Sequence, residues 1–463
     1  MQRRAANAIR AARKRLDESL FPSAPAGVRT LGRGESVTLV LAFLALAMIL
    51  QVFRAGPTYA INGLWAEDGA VFVQGAISHG FANAVSSTYA GYLVVVPRLI
   101  GELGVLVPLR DTAATVAILS TALVALSGLI VWFASAGHIR NPYLRGALAA
   151  LTVVTPVASL EAISSASYVS WYMLFATFWI LLWRPKTAWG TGLASLFVVA
   201  TWLSSPGVLF FAPVAALRAC AARGRRDLAI VGAYALGAAV QLPVVASSGE
   251  STVEPLWSSD IWTVYLQRVV DGAALGEHLG GGAWADYGWP FLIALLVVGV
   301  LVLAIGVGRA SSTARWLAAI AIPTSLAMFL VSIYQRAAAP AMIWPNGVHF
   351  GPGSRYAIVP ALLLVSVALA LIDRRARHRE SGRAPWPVAI ALAVILLGIV
   401  TSFDLADGVA RGTPSWSHSL DAAGAACAGR HLSEVTIETS PPGFGVIVPC
   451  DLVTSADSAP AAR

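Results

Sequence analysis

The sequence predicts an all-α polytopic membrane protein with about eleven transmembrane helices. Of its 463 residues, 57% are hydrophobic and 12% are charged, a balance that excludes an ordinary soluble domain. Apolar stretches that approach the ~20 residues needed for a spanning helix recur between residues 36 and 403. Short arginine-rich segments separate them, which explains the net charge of +8 better than nucleic-acid binding does.

Twelve apolar windows are long enough to be considered as spans. They lie at about residues 36–53, 91–108, 112–135, 146–160, 167–183, 190–203, 207–217, 228–247, 289–308, 316–334, 356–372 and 386–403. The positive-inside rule assigns the arginine-rich loops between them to the cytoplasm. These loops are residues 138–145, 183–186, 218–226, 309–315 and 373–383. These loops lie on the same side of the membrane as the basic N-terminal arm, residues 1–35, only if one window between residues 54 and 137 does not cross the membrane.

The window that we predict not to cross is 91–108, because Pro97, Arg98 and Glu102 lie near its middle. A central Arg or Glu costs about 2.5–3.5 kcal/mol on insertion scales. Arg98 and Glu102 are spaced so that they can pair on one polar face of a helix. We therefore expect an amphipathic helix along the outer surface. A short spanning helix with a buried ion pair is the alternative.

Eleven crossings then give a cytoplasmic N-terminus and an extracytoplasmic C-terminus for a multi-pass protein of the plasma membrane. The transmembrane domain covers residues 36–403, and its external loops are residues 54–110, 248–288 and 335–355. External loops are long and cytoplasmic loops short, which indicates that the protein works outside. The N-terminal arm is interpreted either as a helix lying on anionic lipid or as a solvated tail.

Residues 404–463 are predicted to form a small external α+β tail. Trp416, Leu420, Ala423 and Cys427 fall on one helical face. Two alternating apolar runs then flank a Ser-Pro-Pro-Gly turn, which predicts a hairpin. A module of this size holds little hydrophobic core and benefits from a covalent link.

The cysteines supply that link. Cys427 and Cys450 are the two that the predicted topology places on the oxidising side of the membrane. We therefore predict a disulfide between them. Cys220 falls in a cytoplasmic basic loop and should stay reduced.

The clearest chemical feature is the adjacent pair Glu67-Asp68, which opens the first external loop between Trp65 and Phe72. A carboxylate that is partly desolvated at a membrane surface has a raised pKa and is a stronger base toward a hydroxyl. The pair therefore suits a general base that acts on a lipid-borne substrate. The alternative is that both acids cap or solubilise a loop.

Two further charged residues stand at external ends of spans. Glu161 follows the third crossing, and Arg355 opens the tenth within the run Gly-Pro-Gly-Ser-Arg-Tyr. Glycines let a backbone approach closely, and an arginine at the outer lipid boundary suits a phosphate attached to lipid. The alternative is an arginine that snorkels beside Tyr356 in an aromatic belt. Walker, His-Glu-x-x-His and Gly-x-Ser-x-Gly motifs are absent, which disfavours soluble-nucleotide chemistry.

Together these features resemble the GT-C superfamily of membrane glycosyltransferases, which use polyprenyl-phosphate-linked sugars. The matching motifs are Glu67-Asp68, Tyr89-Ala90-Gly91-Tyr92 followed by Pro97-Arg98-Leu99, Glu161 in the second external loop, and Arg355-Tyr356 ahead of Pro360. The resemblance covers the topology of roughly residues 36–403. The chain departs from the family at Glu161, where many members carry Asp, and it has no Asp-x-Asp motif. A divalent metal is therefore in doubt, and no cofactor is assigned.

The resemblance implies transfer of a sugar from a polyprenyl phosphate to a cell-envelope acceptor, which is a glycan, a lipid or a protein, on the outer face. Asp68, or Glu67 in its place, would deprotonate the acceptor hydroxyl as it attacks the anomeric carbon with inversion. The remaining roles are donor-phosphate binding for Arg355, Arg98 and Tyr356, and substrate binding for Glu161, Tyr89, Trp171 and His349.

Two other functions stay open. A flippase or transporter of lipid-linked glycans is expected to carry ionisable residues within its spans, and often repeated halves. The spans after residue 111 are nearly free of charge. The third function is a non-catalytic partner whose tail recruits another envelope protein. Release of polyprenyl phosphate coupled to acceptor glycosylation is expected of the enzyme alone.

Overall fold

The computed structural model describes residues 11, 13–22, 33–248, 256–337, 342, 353–377, 386–403, 405, 415–430 and 432–457. The described α-helices are α1 Arg33–Ala55, α2 Pro57–Asn62, α3 Gln74–Ser78, α4 Phe81–Ser86, α5 Val95–Val105, α6 Thr112–Ala134, α7 Pro142–Val153, α8 Val169–Leu182, α9 Ala188–Trp202, α10 Ala212–Ala221, α11 Arg225–Ser247, α12 Asp260–Val264, α13 Gly272–Ala274, α14 Gly276–Tyr287, α15 Trp289–Gly308, α16 Ser312–Gln335, α17 Arg355–Arg377, α18 Trp386–Thr401, α19 Trp416–Arg430 and α20 Cys450–Thr454. Two antiparallel hairpins pair β1 (Thr88–Tyr89) with β2 (Tyr92–Leu93) and β3 (Glu434–Glu438) with β4 (Gly445–Pro449). π-Helices cover Asp68–Val73 and Tyr265–Asp271.

The described helices are those of a multi-pass membrane protein. Six of them, α1, α6, α11, α15, α16 and α17, are long and apolar enough to cross a membrane. Four shorter apolar helices accompany them: α8, α9, α18, and α10 with the 3₁₀ turn before it. The predicted all-α membrane fold is confirmed. The count of eleven crossings stays a prediction.

The helical body has two distinct ends, which contact different parts of the chain. Helix α6 starts after Leu109, whose carbonyl accepts a hydrogen bond from Trp416 of the tail at 2.8 Å. Beyond its other end, His138 Nε2 lies 3.1 Å from the carbonyl of Leu20 in the N-terminal arm. Helix α17 likewise runs from Arg355, beside Glu161, toward its later turns.

The later turns of α17 bring Asp373 to the N-terminal arm's end of the body, where its carboxylate accepts from the backbone N–H of Asn141 at 2.8 Å. We call this end the arginine face, because it carries residues 138–145, 183–186 and 218–227. The opposite end carries residues 64–73 and is called the acidic face. The basic loops near residues 140, 185 and 220 therefore share one face, as their arginines predict.

The N-terminal arm packs against protein on the arginine face. Residues 13–20 are helical, and Leu20 and Phe21 are buried. The Asp17 carboxylate forms ion pairs with Arg184 and Arg223. The solvated-tail interpretation is therefore wrong for these residues, and the interpretation of the arm as a helix on anionic lipid stays a prediction. Its apolar side chains and its one buried acid find partners within the protein.

Segment 91–108 forms strand β2 and helix α5, and the 11 residues of α5 are too few to cross a membrane. The predicted polar face is wrong, because Arg98 and Glu102 are both buried in protein. Arg98 Nε donates to the carbonyl of Ser87 at 2.9 Å, and its Nη2 donates to that of Thr88 at 3.2 Å. The guanidinium thus fixes the β1–β2 hairpin instead of pairing with Glu102.

The tail has the predicted helix and hairpin, as α19 and the β3–β4 pair. The four residues expected on the inner face of the helix, Trp416, Leu420, Ala423 and Cys427, are buried. Cys427 and Cys450 are joined in a disulfide, with their Cα atoms 5.6 Å apart. The tail is docked on the rest of the protein: Arg110 forms ion pairs with Asp421 and Asp457 at 2.9 and 2.6 Å.

The sidedness of the membrane can be tested with the native free cysteine. Cys220 is exposed on the arginine face, and we predict that a membrane-impermeant maleimide leaves it unlabelled in intact cells that express the protein. His79 is exposed in the first loop of the acidic face. A cysteine introduced there in a Cys220→Ser background should be labelled from outside. Labelling of Cys220 without permeabilisation would reverse the predicted orientation.

Candidate active site

The site is built around Asp68, which is only 2% exposed and begins a π-helical turn. Its Oδ1 accepts hydrogen bonds from Ser167 N and Ser167 Oγ, both at 2.8 Å, and from Ser165 Oγ at 3.2 Å. Burial raises the pKa of the Asp68 carboxyl from 3.8 to about 7; the hydrogen bonds from Ser167 and Ser165 oppose this rise, and the charge of Glu67 adds to it. Asp68 can therefore gain or lose a proton near neutral pH.

The backbone before Asp68 is held by the C-terminal tail. Ala66 has φ of 26°, which is costly for a residue with a Cβ atom. Its N–H donates to the carbonyl of Ser440, while the N–H of Ser440 donates to Leu64 O at 3.0 Å. This parallel bridge between Trp65 and Ser440 stabilises the turn that sends Asp68 inward.

The tail also contacts the far end of the same π-helix. Gln74 Oε1 accepts from the N–H of Ile447 at 2.6 Å, and Gln74 Nε2 donates to Ile447 O at 3.2 Å. Between the two ends, a Cβ on Gly69 would lie 2.7 Å from Thr439 Cγ2. Only glycine therefore lets the π-helix approach the hairpin this closely.

Glu67 points to two tyrosines. Tyr89 OH donates to Glu67 Oε1 at 3.2 Å, and Tyr168 OH donates to Glu67 Oε2 at 3.3 Å. Tyr89 reaches the acid because Ala90 and Gly91 both have positive φ, of 52° and 84°, and form a tight turn between β1 and β2. Both oxygens of Glu67 therefore accept hydrogen bonds, whereas in Asp68 only Oδ1 accepts them from described residues.

Glu161 holds the beginning of α17. Its Oε1 accepts from Gly353 N at 3.0 Å and Ser354 Oγ at 3.3 Å, and its Oε2 accepts from Arg355 Nη1 at 2.9 Å. A carboxylate at this position satisfies otherwise unpaired N–H groups and interacts favourably with the helix dipole. Glu161 therefore offsets the charge of Arg355 and fixes where its side chain lies.

Arg355 lies between two aromatic rings. Its guanidinium carbon is 4.9 Å from the Tyr168 ring centroid and 4.7 Å from that of Tyr356. Arg355 Nη1 also lies 3.4 Å from Tyr168 OH, and Tyr356 packs edge-on against Trp171. Tyr168 OH thus accepts from Arg355 while it donates to Glu67, so that the acidic segment and α17 are connected. The Arg355 side chain remains 25% exposed.

The structure brings most of the predicted site residues together: Asp68, Glu67, Tyr89, Glu161, Trp171, Arg355 and Tyr356. Arg98 is placed differently, since its guanidinium bonds to backbone carbonyls of the hairpin that carries Tyr89. It supports the site through Tyr89. His349 lies outside the described residues.

The sequence analysis assigned no role to the residues that connect the site. Ser165, Ser167 and Tyr168 belong to a polar run just before α8. A run of hydroxyl side chains at the start of a span was the sequence signal that could have identified them.

Arg336, just after α16, was not singled out from the sequence either. Burial raises the pKa of the Tyr92 hydroxyl, and the positive charge of Arg336 acts against this rise. Arg336 therefore lies within electrostatic reach of the site.

Arg336 differs from Arg355 and Arg98 in having no partner among the described residues for its charge. Arg355 is paired with Glu161 and Arg98 is bonded to carbonyls. Among the described residues, Arg336 forms no ion pair and its side chain makes no hydrogen bond. In the part of the chain that the structure describes, Arg336 is thus an arginine near the acidic segment whose donors are available to a ligand.

The three acids do not fit a divalent metal in this arrangement. Glu161 spends both oxygens on residues 353–355, and each oxygen of Glu67 accepts from a tyrosine. Within the described part of the chain, no group of three or more His, Cys, Asp or Glu side chains converges as a metal site. No chemical step below is therefore assigned to a metal.

No protein-family model and no curated protein matches the chain. Among solved structures, it is similar to an oligosaccharyltransferase from Archaeoglobus fulgidus in complex with zinc and sulfate, with 14% identity and a TM-score of 0.39 over 84% of this chain and 55% of the other. It is also similar to the archaeal oligosaccharyltransferase AglB from the same organism with an inhibitory peptide and a dolichol-phosphate, with 13% identity and a TM-score of 0.38 over 85% and 58%. A third structure, tethered to an acceptor peptide, has 12% identity and a TM-score of 0.36 over 85% and 57%.

The chain thus spans a little over half the length of these structures. The functional conclusion depends on the residues of the site itself.

Proposed function

We propose that the protein is a glycosyltransferase that moves a sugar from a polyprenyl-phosphate donor to a hydroxyl of a cell-envelope acceptor, at the outer face of the plasma membrane. The observation that carries the proposal is Asp68, a buried carboxylate with a pKa of about 7 next to a cluster of tyrosines and arginines. A general base works best when its pKa is near the working pH.

Asp68 acts on the acceptor. Its Oδ1 is fixed by Ser165 and Ser167, while Oδ2 has no hydrogen bond to any described residue. Oδ2 takes the proton of the acceptor hydroxyl as the hydroxyl oxygen forms its bond to the anomeric carbon. The bond from that carbon to the donor phosphate breaks, and its electron pair leaves on the phosphate oxygen. Attack from the opposite side inverts the anomeric centre.

The departing phosphate carries a growing negative charge that cations stabilise more effectively than a general acid. Arg355 is oriented for this role, but Glu161 already offsets its charge. Arg336 adds a positive charge that is not paired with any described acid. Burial raises the pKa of Tyr89, so its hydroxyl stays protonated and can donate a hydrogen bond. We assign the donor phosphate to Arg336 and Arg355 together.

The proposal is tested by incubating the purified protein with radiolabelled polyprenyl-phosphate sugars and envelope acceptors. We expect release of polyprenyl phosphate in step with labelling of the acceptor. Movement of intact donor between leaflets without release would indicate a transporter, and binding without turnover would indicate a non-catalytic partner.

Arg336→Ala should raise the KM for the donor by about 10–100-fold, since a hydrogen bond to a charged group contributes about 1.5–3 kcal/mol. Lysine should restore only part of the loss, because a point charge cannot reproduce a bidentate fork. The matched control is Arg309→Ala, an exposed arginine in the loop between α15 and α16. An unchanged KM in Arg336→Ala, with a raised one in Arg355→Ala, would assign the phosphate to Arg355 alone.

A further inference from the structure

The arginine face contains a cavity that the proposed reaction does not use. Its volume is about 400 Å³, and it is lined by Arg184, Pro185 and residues 223–227. Helix α8 separates it from Tyr168 of the active site, and the 14 residues of α8 span about 21 Å. The cavity is therefore a separate site.

The cavity has more positive charge than its acids can offset. Four arginines line it, at positions 184, 223, 225 and 226, and its one lining carboxylate is Asp227. Asp227 already accepts from Arg218 Nη2 at 3.0 Å, Arg184 Nε at 3.3 Å and Arg223 N at 3.0 Å. The second nearby acid, Asp17, pairs with Arg184 and Arg223.

Two of the arginines are left without a counter-charge. Arg225 and Arg226 are exposed and form no ion pair with any described residue, although Arg226 Nη1 donates to the carbonyl of Lys186. They are the first two residues of α11, where the helix dipole is positive and disfavours cations. A bound anion offsets both the uncompensated charge of the two arginines and their unfavourable interaction with the helix dipole. Phosphate is the anion whose geometry arginine matches.

Apolar surface adjoins this positive charge. Trp189, near the start of α9, is 83% exposed, and Leu193 one turn further along is also exposed. Leu228 in the first turn of α11 is exposed as well. A tryptophan beside a cationic cavity at the end of two membrane helices is typical of the lipid headgroup boundary. Free phosphate makes no use of this apolar surface, whereas the acyl chains of a phospholipid do.

We propose that this cavity binds the phosphate of an anionic phospholipid, with Arg225 and Arg226 as the residues that hold it. The acyl chains then lie along the exposed side of α9 and α11. Because Arg184 and Arg223 also bind Asp17, a lipid here completes a charged cluster that fixes the N-terminal arm. This inference does not depend on the proposed glycosyltransferase activity.

The test uses the full-length protein in nanodiscs of phosphatidylcholine with increasing phosphatidylglycerol, and counts retained lipids by native mass spectrometry. We expect phosphatidylglycerol to be retained in preference to phosphatidylcholine. The double variant Arg225→Gln/Arg226→Gln should raise its half-saturation by about tenfold or more. The single variant Arg225→Gln, which removes no hydrogen bond or ion pair with a described residue, should give a smaller shift in the same direction.

The control is Arg309→Gln/Arg315→Gln, which removes the same charge from the junction between α15 and α16. An equal loss in the control would overturn the proposal in favour of non-specific charge attraction. A second arm titrates inorganic phosphate into protein in neutral detergent. Phosphate binding that the double variant abolishes, together with no preference for phosphatidylglycerol in nanodiscs, would overturn the lipid assignment and make this a free-phosphate site.

Discussion

We expect the Asp68→Asn variant to transfer sugar about 10²–10⁴-fold more slowly than the unchanged protein, which is the usual loss when a positioned general base is removed. Asparagine keeps the volume of the side chain and an oxygen that can accept from Ser165 and Ser167. It cannot take a proton from the acceptor. Donor binding should be largely retained, so the measurement is the single-turnover rate at saturating donor, beside the donor affinity.

Glu67→Gln is the internal control. Both oxygens of Glu67 accept from tyrosines, which indicates a positioning role and predicts a smaller loss. If Glu67→Gln abolishes turnover while Asp68→Asn stays near the unchanged rate, the base is Glu67. If neither substitution matters in a folded, donor-binding protein, the glycosyltransferase function should be abandoned.

The pH dependence gives a second signature of the same residue. The basic form of Asp68 is the active one, so the transfer rate should rise with pH through about 7 and then level off. Asp68→Asn should remove this rise. The stability of the fold should change with pH in the opposite direction. The pKa of Asp68 is about 7 in the folded state and 3.8 ordinarily, so the folded state holds the proton more tightly. The contribution of Asp68 to the free energy of unfolding therefore declines as the pH rises from 3.8 to about 7.

Removal of the C-terminal tail, residues 406–463, should lower the rate of transfer by about 10²-fold, as misplacement of a catalytic group by about 1 Å does. The tail fixes both ends of the π-helix that carries Asp68, through Ser440 and through Ile447. Without it, the turn at Ala66 loses the bonds that hold its positive φ. Donor binding should change little, because Arg336 and Arg355 lie on other elements.

A less disruptive variant separates positioning from folding. Gln74→Ala removes both side-chain bonds to Ile447 and leaves the tail in place. The transfer rate of this variant should also fall. The apparent pKa in its pH–rate profile should drop below about 7, because burial raises the pKa of Asp68 and a loosened π-helix leaves Asp68 less buried. Glu438→Gln, an exposed change on strand β3, is the matched control. A normal rate and pH profile in the truncated protein would show that the tail does not position the base.

Much of this protein could be predicted from local patterns in its sequence. Apolar windows and arginine-rich loops predict the membrane fold and the shared side of three basic loops, because the lipid interior admits few charges. The tail helix is visible in the spacing of Trp416, Leu420 and Ala423, and the disulfide follows from having two cysteines on one side. The acid pair is recognisable from its chemistry and its place beyond the first span.

The partners of each polar side chain were decided by the tertiary structure. Asp68 is bonded to Ser167, 99 positions away, Glu161 to Arg355, 194 away, and Gln74 to Ile447, 373 away. Arg98 and Glu102 have the spacing of an ion pair, but both are buried and Arg98 donates to the carbonyls of Ser87 and Thr88 instead. A sequence pattern predicts which face of an element is apolar. The partner of a buried polar side chain is a different matter, because packing decides which distant backbone or hydroxyl group comes within about 3 Å of that side chain. The roles of Tyr168, of the tail and of the N-terminal arm were therefore fixed only when the helices packed.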